Sequence, residues 1–329
     1  MAYETERAAA IDAVTKACRL TRAVQDKLVA GATLVKGDKS PVTVADFGAQ
    51  AVVGHLLSFE FPRIPMVGEE DAAALRDPAN AVLKGHVVDL VRTVLPDLRE
   101  PDVLAAIDAG TYEGGRRGLH WTLDPIDGTK GFRRLEQYAV ALALIEDGEV
   151  VLGVMGCPNL PLDPKDESAG RGCLFVAARG EGASVRPLDG GPSKPLFVRG
   201  SADLATARLT ESVESGHTAQ DESADVAKIL GLQSAPVRMD SQAKYAVVAR
   251  GEASIYLRLP TRADYVEKIW DHAAGYRIVT EAGGIVTDVR GEPLDFGLGR
   301  GLSSNKGVVV TNGSLHQQVL AAVRQVLGT

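Results

Sequence analysis

Cysteine is scarce in this chain. Its three cysteines, Cys18, Cys157 and Cys173, are an odd number and lie far apart. They make neither a disulfide framework nor zinc-ligand spacing, which points to a reducing cytosol. A Lys/Arg tract is also missing, and the net charge is −7. That balance argues against nucleic acid or an anionic membrane as the main partner. A small anionic substrate stays open, because a local cluster or a bound cation can reverse the field inside a pocket. The longest apolar run, residues 138–145, is far too short to cross a bilayer. The opening residues Met1-Ala2-Tyr3-Glu4-Thr5-Glu6-Arg7 carry acids and no apolar core, so they do not read as a secretory signal. Internal repeats and low-complexity segments are absent as well. What is present is ordinary for a soluble globular protein: 329 residues, 45% hydrophobic and 24% charged. That length makes two domains the default.

Apolar residues Ala8, Ile11, Val14, Ala17, Leu20, Val24 and Leu28 recur at helical spacing and predict a long amphipathic helix over 4–29, stopped by Gly31. A polar, hinge-like loop over 35–43 leads to a second helix over about 44–59, and Pro62 ends that segment. Residues 64–68 read as a short strand and 80–94 as a helix. The stretch 101–117 reads as irregular, with a helical piece near 103–107. Strands over 138–146 and 149–157 are joined by Asp147-Gly148, a strong hairpin signal, and a second pair covers 173–178 and 183–186. The Pro- and Gly-rich segment 186–195 reads as a linker. Beyond it, strands (196–199, 235–239, 253–257, 285–289, 307–311) alternate with helices (218–230, 242–249, 271–282, 314–327). The expectation is an α+β first domain over 1–195 with an antiparallel sheet, and an α/β second domain over 196–329.

The stretch with most chemistry is Trp121-Thr122-Leu123-Asp124-Pro125-Ile126-Asp127-Gly128-Thr129-Lys130-Gly131. Trp121 and Leu123 read as the end of a buried strand, Asp124 to Gly128 as a sharp turn, and Thr129 as a helix start. Two carboxylates pointing into one pocket repel each other unless a cation sits between them. Oxygen ligands of this kind, with a backbone carbonyl added, suit Mg²⁺; solvated turn aspartates are the alternative. Glu69-Glu70-Asp71 after the 64–68 strand is either a solvated loop or a further cation site. Asp46, in the first turn of the second helix, suits the helix dipole. Asp271 suits an N-cap. If the domains close on each other, Asp271 completes a set with Glu69, Asp124 and Asp127. Four carboxylates without His or Cys fit Mg²⁺ better than zinc or copper. A cationic group accompanies them. Ser241 and Lys244 are one helical turn apart, Arg258 interrupts an apolar strand, and His217 precedes a helix. Singly these read as a solvated lysine, a structural ion pair and a surface histidine; together they would form an anion-binding wall.

Gly68-Glu69-Glu70, Asp124-Pro125-Ile126-Asp127-Gly128-Thr129 and Trp270-Asp271-His272-Ala273-Ala274-Gly275, in this order, resemble the lithium-sensitive, Mg²⁺-dependent phosphatases of the inositol monophosphatase superfamily. Ser40-Pro41-Val42-Thr43-Val44-Ala45-Asp46, Asp240-Ser241-Gln242-Ala243-Lys244-Tyr245, Tyr256-Leu257-Arg258-Leu259-Pro260 and Glu267-Lys268-Ile269-Trp270-Asp271 look like its 3′(2′),5′-bisphosphate nucleotidase branch. The resemblance spans nearly the whole chain and is weakest over 72–115 and 158–235; Asp71 stands where the family often has Ser. It implies a layered αβαβα sandwich of the inositol monophosphatase and fructose-1,6-bisphosphatase type, with the active site between domains. It implies two or three Mg²⁺ ions on Glu69, Asp124, the Ile126 carbonyl, Asp127 and Asp271. Asp46 and Thr129 match the pair that prepares the attacking water. Thr129, His217, Ser241, Lys244, Arg258 and Asp271 match positions that hold the nucleotide. The implied reaction removes the 3′-phosphate of adenosine 3′,5′-bisphosphate to give AMP, with 3′-phosphoadenylyl sulfate as a second substrate; a monomer is the working expectation, which the sequence does not determine. Three rivals stand beside it. An inositol-phosphate phosphatase would share every metal ligand. An aspartyl-phosphate enzyme needs Asp-x-Asp, whereas this chain has Asp-x-x-Asp. A non-catalytic nucleotide sensor is disfavoured by the intact set of acids.

Overall fold

The structure is a computed structural model that describes residues 3–29, 41–214, 219–262 and 264–328. Its first layer is a pair of helices, α1 (Glu4–Val29) and α2 (Pro41–Glu60). Of the expected stripe on α1, Val14, Ala17, Leu20 and Val24 are buried, Ile11 and Leu28 are half-buried, and Ala8 is exposed, its place in the core taken by Ala10. Both helices pack on a seven-stranded sheet: β1 (Met66–Gly68), β2 (Leu119–Asp127), β3 (Ala139–Glu146), β4 (Glu149–Asp163), β5 (Asp166–Ala178), β6 (Gly182–Pro187) and β7 (Lys194–Leu196), in sequence order. The β1–β2 pair is parallel and the other pairs are antiparallel. Between β1 and β2 run three short helices, α3 (Ala73–Arg76), α4 (Ala81–Arg92) and α5 (Glu100–Asp108), and α6 (Thr129–Arg133) follows β2.

Strand β3 explains why this sheet is covered on both faces. Val140, Leu142 and Leu144 point to the α1/α2 core, while Ala139, Ala141, Ala143 and Ile145 belong to a second core with other helices. Those helices are α8 (Ala243–Ala249) and α9 (Ala273–Glu281), preceded in the chain by β8 (Leu209–Glu211), α7 (Gln220–Ile229) and β9 (Val237–Arg238). Helix α9 lies so close to β4 that a Cβ on Gly153 would stand 2.7 Å from the Ala274 carbonyl oxygen. Beyond α8 and α9 is a five-stranded sheet, completed by β10 (Ile255–Arg258), β11 (Ile285–Thr287) and β12 (Val308–Thr311), in the order β11-β12-β10-β8-β9. In β12 the alternation repeats: Val308 and Val310 face the α8/α9 layer, whereas Val309 joins a third core with α7 and α10 (His316–Leu327). The layers therefore run α, β, α, β, α, as the resemblance implied.

Several local expectations are corrected. Helix α2 starts at Pro41, whose fixed φ suits a first helical position, so Asp46 lies in the second turn and the helix-dipole account of it falls. Residues 35–40 of the expected hinge lie outside the described residues. The expected sharp turn at Asp124 to Gly128 is instead bulged strand. Asp124 pairs with Ala141 and Asp127 with Ala139, so β2 advances three residues against two on β3. Pro125 contributes no N–H and fits such a bulge. The linker segment ends in β7, an edge strand of the first sheet, which replaces the strand expected over 196–199. The first strand of the second sheet, three-residue β8, was not expected at all. Asp271 is not a helix cap: it ends a 3₁₀ turn, Ile269–Asp271, and His272 stands at the N-cap of α9 without a side-chain cap bond. Cys18, Cys157 and Cys173 are buried and unbridged. Among the described residues, no helix is long and apolar enough to cross a membrane.

Candidate active site

A cleft of about 570 Å³ opens where the ends of β1 and β2 meet α8, β10 and the 3₁₀ turn before α9. Parallel pairing sets Gly68 opposite Leu123, which carries Glu69 alongside Asp124 at the strand ends. The Glu69 segment is held from both sides: Gly68 N–H donates to Gly110 O at 2.8 Å, and Glu70 N–H donates to Gln50 Oε1 at 3.0 Å. Asp124 is buried, and its Oδ1 has no hydrogen-bond partner. The bulge then turns Asp127 into the cleft, where Oδ2 accepts the Gln242 N–H from the second lobe, meaning the part of the chain around the five-stranded sheet, as the first lobe is the part around the seven-stranded sheet. Gly128 closes the motif at φ 86°, and a Cβ there would stand 2.9 Å from Ser241 Cβ. Only glycine satisfies both demands. Thr129 begins α6, and its hydroxyl donates to Ile126 O at 3.3 Å. That carbonyl keeps its second lone pair.

The structure brings Glu69, Asp124, Ile126, Asp127, Thr129, Ser241, Lys244, Arg258 and Asp271 to the lining of one cleft. Asp46 does not line it. It is buried behind the acidic wall, near enough to Glu70 and Glu69 for their charges to act on it. His217 lies outside the described residues.

The acids are electrostatically unsettled. Burial, then Glu69, Asp127 and Asp271, push the Asp124 carboxyl well above the carboxylate range. Glu69 is pushed up to about 8 by burial, Asp271 and Glu70. Asp127 rises to about 6 through burial and Asp271, although Lys244 and the Gln242 N–H oppose the rise. Asp46 is raised by burial, Glu70 and Glu69. Like charges held together at buried positions, with one oxygen orphaned, are what a cation would relieve. Of the six carboxylates lining the cleft, Asp240 and Glu267 are ion-paired to Arg134 and Arg258; Glu69, Asp124, Asp127 and Asp271, with the Ile126 carbonyl and without His or Cys, make a set that fits a hard divalent cation.

On the facing side Lys244 is buried rather than solvated, so the solvated-face reading falls. Its Nζ donates to Ser241 O at 2.8 Å and Met239 O at 3.2 Å, and burial lowers its pKa to about 8 against the pull of Asp127. Ser241 itself adopts a left-handed backbone, φ 67°, which costs a non-glycine residue energy and is a common mark of functional sites. Arg258 is ion-paired, as its structural reading held, and also lines the cleft: Nη2 reaches Glu267 at 2.7 Å and Asp271 at 3.1 Å. The two walls thus meet at Asp271.

Behind Arg258 lies a buried network not anticipated from the sequence. Glu267 Oε2 is 3.1 Å from His272 Nε2, and His272 Nδ1 is 2.7 Å from the Tyr245 hydroxyl. Arg258 and His272 together hold the Glu267 carboxyl at about 2 despite its burial. Glu267, Asp271 and His272 offer ligand atoms within 4.8 Å of one another, but Arg258 and Tyr245 already occupy this group. The usable sequence signal was two ionisable residues, Glu267 and His272, flanking the apolar pair Ile269-Trp270.

The chain is similar to known proteins over nearly its whole length. The sequence model of the inositol monophosphatase family matches residues 1–327. A protein of Emericella nidulans named 3′(2′),5′-bisphosphate nucleotidase is 46% identical over 353 residues, covering 99% of each chain. One of Schizosaccharomyces pombe with the same name is 43% identical, covering 99% of this chain and 97% of its own. Among solved structures, an inositol monophosphatase from Anabaena superposes with a TM-score of 0.63 at 20% identity, covering 99% of this chain and 97% of that one. CysQ from Bacteroides thetaiotaomicron, a bacterial member of the same family, superposes with 0.60 at 21% identity, covering 94% and 98%. The structural likenesses speak to the fold.

Proposed function

The chain belongs to the inositol monophosphatase family, and from that premise we propose that it is a 3′(2′),5′-bisphosphate nucleotidase. Its reaction is hydrolysis of the 3′-phosphate of adenosine 3′,5′-bisphosphate to AMP and phosphate, with 3′-phosphoadenylyl sulfate as a second substrate. The observation that carries this reading is an acidic wall and a basic wall facing each other across one cleft, in a chain 43–46% identical over its length to proteins of that name.

Glu69, Asp124, Asp127, Asp271 and the Ile126 carbonyl would hold Mg²⁺. The set would hold two or three ions. Bound there, the cations supply positive charge that acidifies water and stabilises the oxygen left when the bond to phosphorus breaks. The protein's own groups do the rest. Thr129 Oγ1 orients the attacking water, and Asp46, buried behind the acidic wall and raised in proton affinity by burial, Glu70 and Glu69, takes the proton relayed through the Thr129 hydroxyl. Water oxygen bonds to phosphorus as the bond to the ribose 3′ oxygen breaks, and no phosphoenzyme forms. Ser241, Lys244 and Arg258, with His217, Thr129 and Asp271, hold the nucleotide, Arg258 as a bidentate partner for phosphate. Glu267 fixes that guanidinium from behind. The enzyme acts in the cytosol and is inhibited by lithium. Of the rival substrates, an inositol monophosphate would leave the buried Lys244 without a second phosphate to meet.

The test is initial phosphate release from adenosine 3′,5′-bisphosphate, 3′-phosphoadenylyl sulfate and inositol 1-phosphate, in Mg²⁺ and in EDTA. Turnover of both nucleotides in Mg²⁺ alone, above inositol 1-phosphate, is expected. Preference for inositol 1-phosphate would overturn the substrate, and undiminished rates in EDTA would overturn the metal.

A further inference from the structure

Arg300, in the loop between β11 and β12, belongs to none of the motifs that pointed to the cleft. Its side chain crosses to the first lobe. Nη1 donates to Tyr112 O at 3.0 Å and Gly110 O at 3.2 Å, and Nη2 donates to Gly68 O. On the second lobe the guanidinium lies over the Trp270 ring, 4.9 Å from its centroid. The backbone of the same loop is laced to that segment: Ile269 N–H donates to Arg300 O at 3.2 Å, and Leu302 N–H to Glu267 O at 2.8 Å. One side chain therefore grips the residue immediately before Glu69 and the residue immediately before Asp271.

We propose that Arg300 is a positioning residue for the cation site, which sets the spacing between Glu69 and Asp271 by clamping the residue before each. The physical case is geometric. Glu69 and Asp271 come from opposite sides of the cleft, and their mutual repulsion opposes the approach that a shared set of cations requires. A planar fork with several donors can satisfy three carbonyls and stack on an indole at once. A lysine ammonium is a point charge on a flexible stem and cannot do both. Groups that orient metal-bearing side chains without touching the metal commonly matter 10- to 100-fold for metal affinity. The inference rests on the reading of Glu69 and Asp271 as cation ligands.

The experiment is Mn²⁺ binding to the full chain without substrate, followed by the free-Mn²⁺ electron paramagnetic resonance signal, for wild type, Arg300→Ala, Arg300→Lys and Arg116→Ala. Arg116 pairs with Asp295 at 2.6 Å, so it docks the same loop on the first lobe without touching Gly68. Arg300→Ala should bind Mn²⁺ about 10- to 100-fold more weakly. Arg300→Lys should recover part of the loss, and Arg116→Ala should stay within about twofold of wild type. In turnover, saturating Mg²⁺ should restore most of the Arg300→Ala kcat while KM changes little. Wild-type Mn²⁺ affinity in Arg300→Ala, or an equal loss in Arg116→Ala, would overturn the assignment. If Arg300→Ala does not fold, Arg300→Lys decides: an intermediate loss supports the clamp, and wild-type affinity overturns it. Failure of the wild type itself to bind Mn²⁺ would overturn both the clamp and the cation site beneath it.

Discussion

Asp127→Asn should make the cation-free protein more stable while removing its activity. The substitution keeps the acceptor for Gln242 N–H and deletes only a charge. In the folded chain the Asp127 carboxyl is raised from 3.8 to about 6 by burial and Asp271. For an acid whose folded pKa is raised, both states are protonated below the unfolded value, and nothing is at stake. As pH climbs from about 4 to 6, the unfolded chain ionises first and the folded chain loses stability. Above about 6 the penalty is complete. Two units correspond to about 3 kcal/mol, and because the repulsion is shared with neighbouring acids we take about 1–3 kcal/mol. A chain of this size should then gain roughly 2–6 °C in Tm at pH 8. The assay is thermal melting of wild type and variant in EDTA at pH 8 and pH 5, then in saturating Mg²⁺. The variant should lead at pH 8 in EDTA, lose about half its lead at pH 5, and gain less from Mg²⁺ than the wild type does. A variant no more stable than wild type at pH 8 in EDTA, or an equal gain from Mg²⁺ in both proteins, would refute the picture of acids held apart for want of a cation.

Lys244→Ala should lower kcat/KM on the bisphosphate nucleotide about 10- to 100-fold, as expected for losing a charged hydrogen bond of about 1.5–3 kcal/mol. Inositol 1-phosphate turnover measured in parallel should be spared, and an equal loss there would count against the nucleotide. Thr129→Ala should cut kcat by roughly 10²- to 10⁴-fold with KM and Mg²⁺ affinity little changed, because the hydroxyl acts on the water. A near-normal kcat would leave Thr129 as a local partner of Ile126 O only. LiCl should inhibit phosphate release beyond a KCl control, and Mg²⁺ should relieve it, since an oxygen site for Mg²⁺ accepts a small hard monovalent ion that activates water less. Identical LiCl and KCl curves would show only screening.

Much of this architecture was legible because its signals are periodic. The α1 stripe gave that helix its full length, and Asp147-Gly148, both at positive φ, made the expected hairpin. The acids were legible because Asp-Pro-x-Asp-Gly and Glu-Glu sit at ends of apolar strands. Strand β8 was not: three residues carry too little alternation, and they form a strand only because β10 and β9 flank them. The bulge at Pro125 was read as a turn because Pro and Gly signal both, and the choice depends on pairing with β3. Lys244 looked like a solvated helix face, yet α8 lies between two sheets and is buried throughout, a tertiary fact its own spacing cannot report. Arg300 escaped for a related reason. Its partners are backbone carbonyls at Gly68, Gly110 and Tyr112, and carbonyls leave no mark in a sequence.

The most direct test of the central claim is which phosphate leaves. Adenosine 3′,5′-bisphosphate incubated with the protein in Mg²⁺ and followed by ³¹P NMR should yield inorganic phosphate and adenosine 5′-monophosphate, with no reaction in EDTA. Adenosine 3′-monophosphate as the product, or an unchanged spectrum in Mg²⁺, would contradict the account.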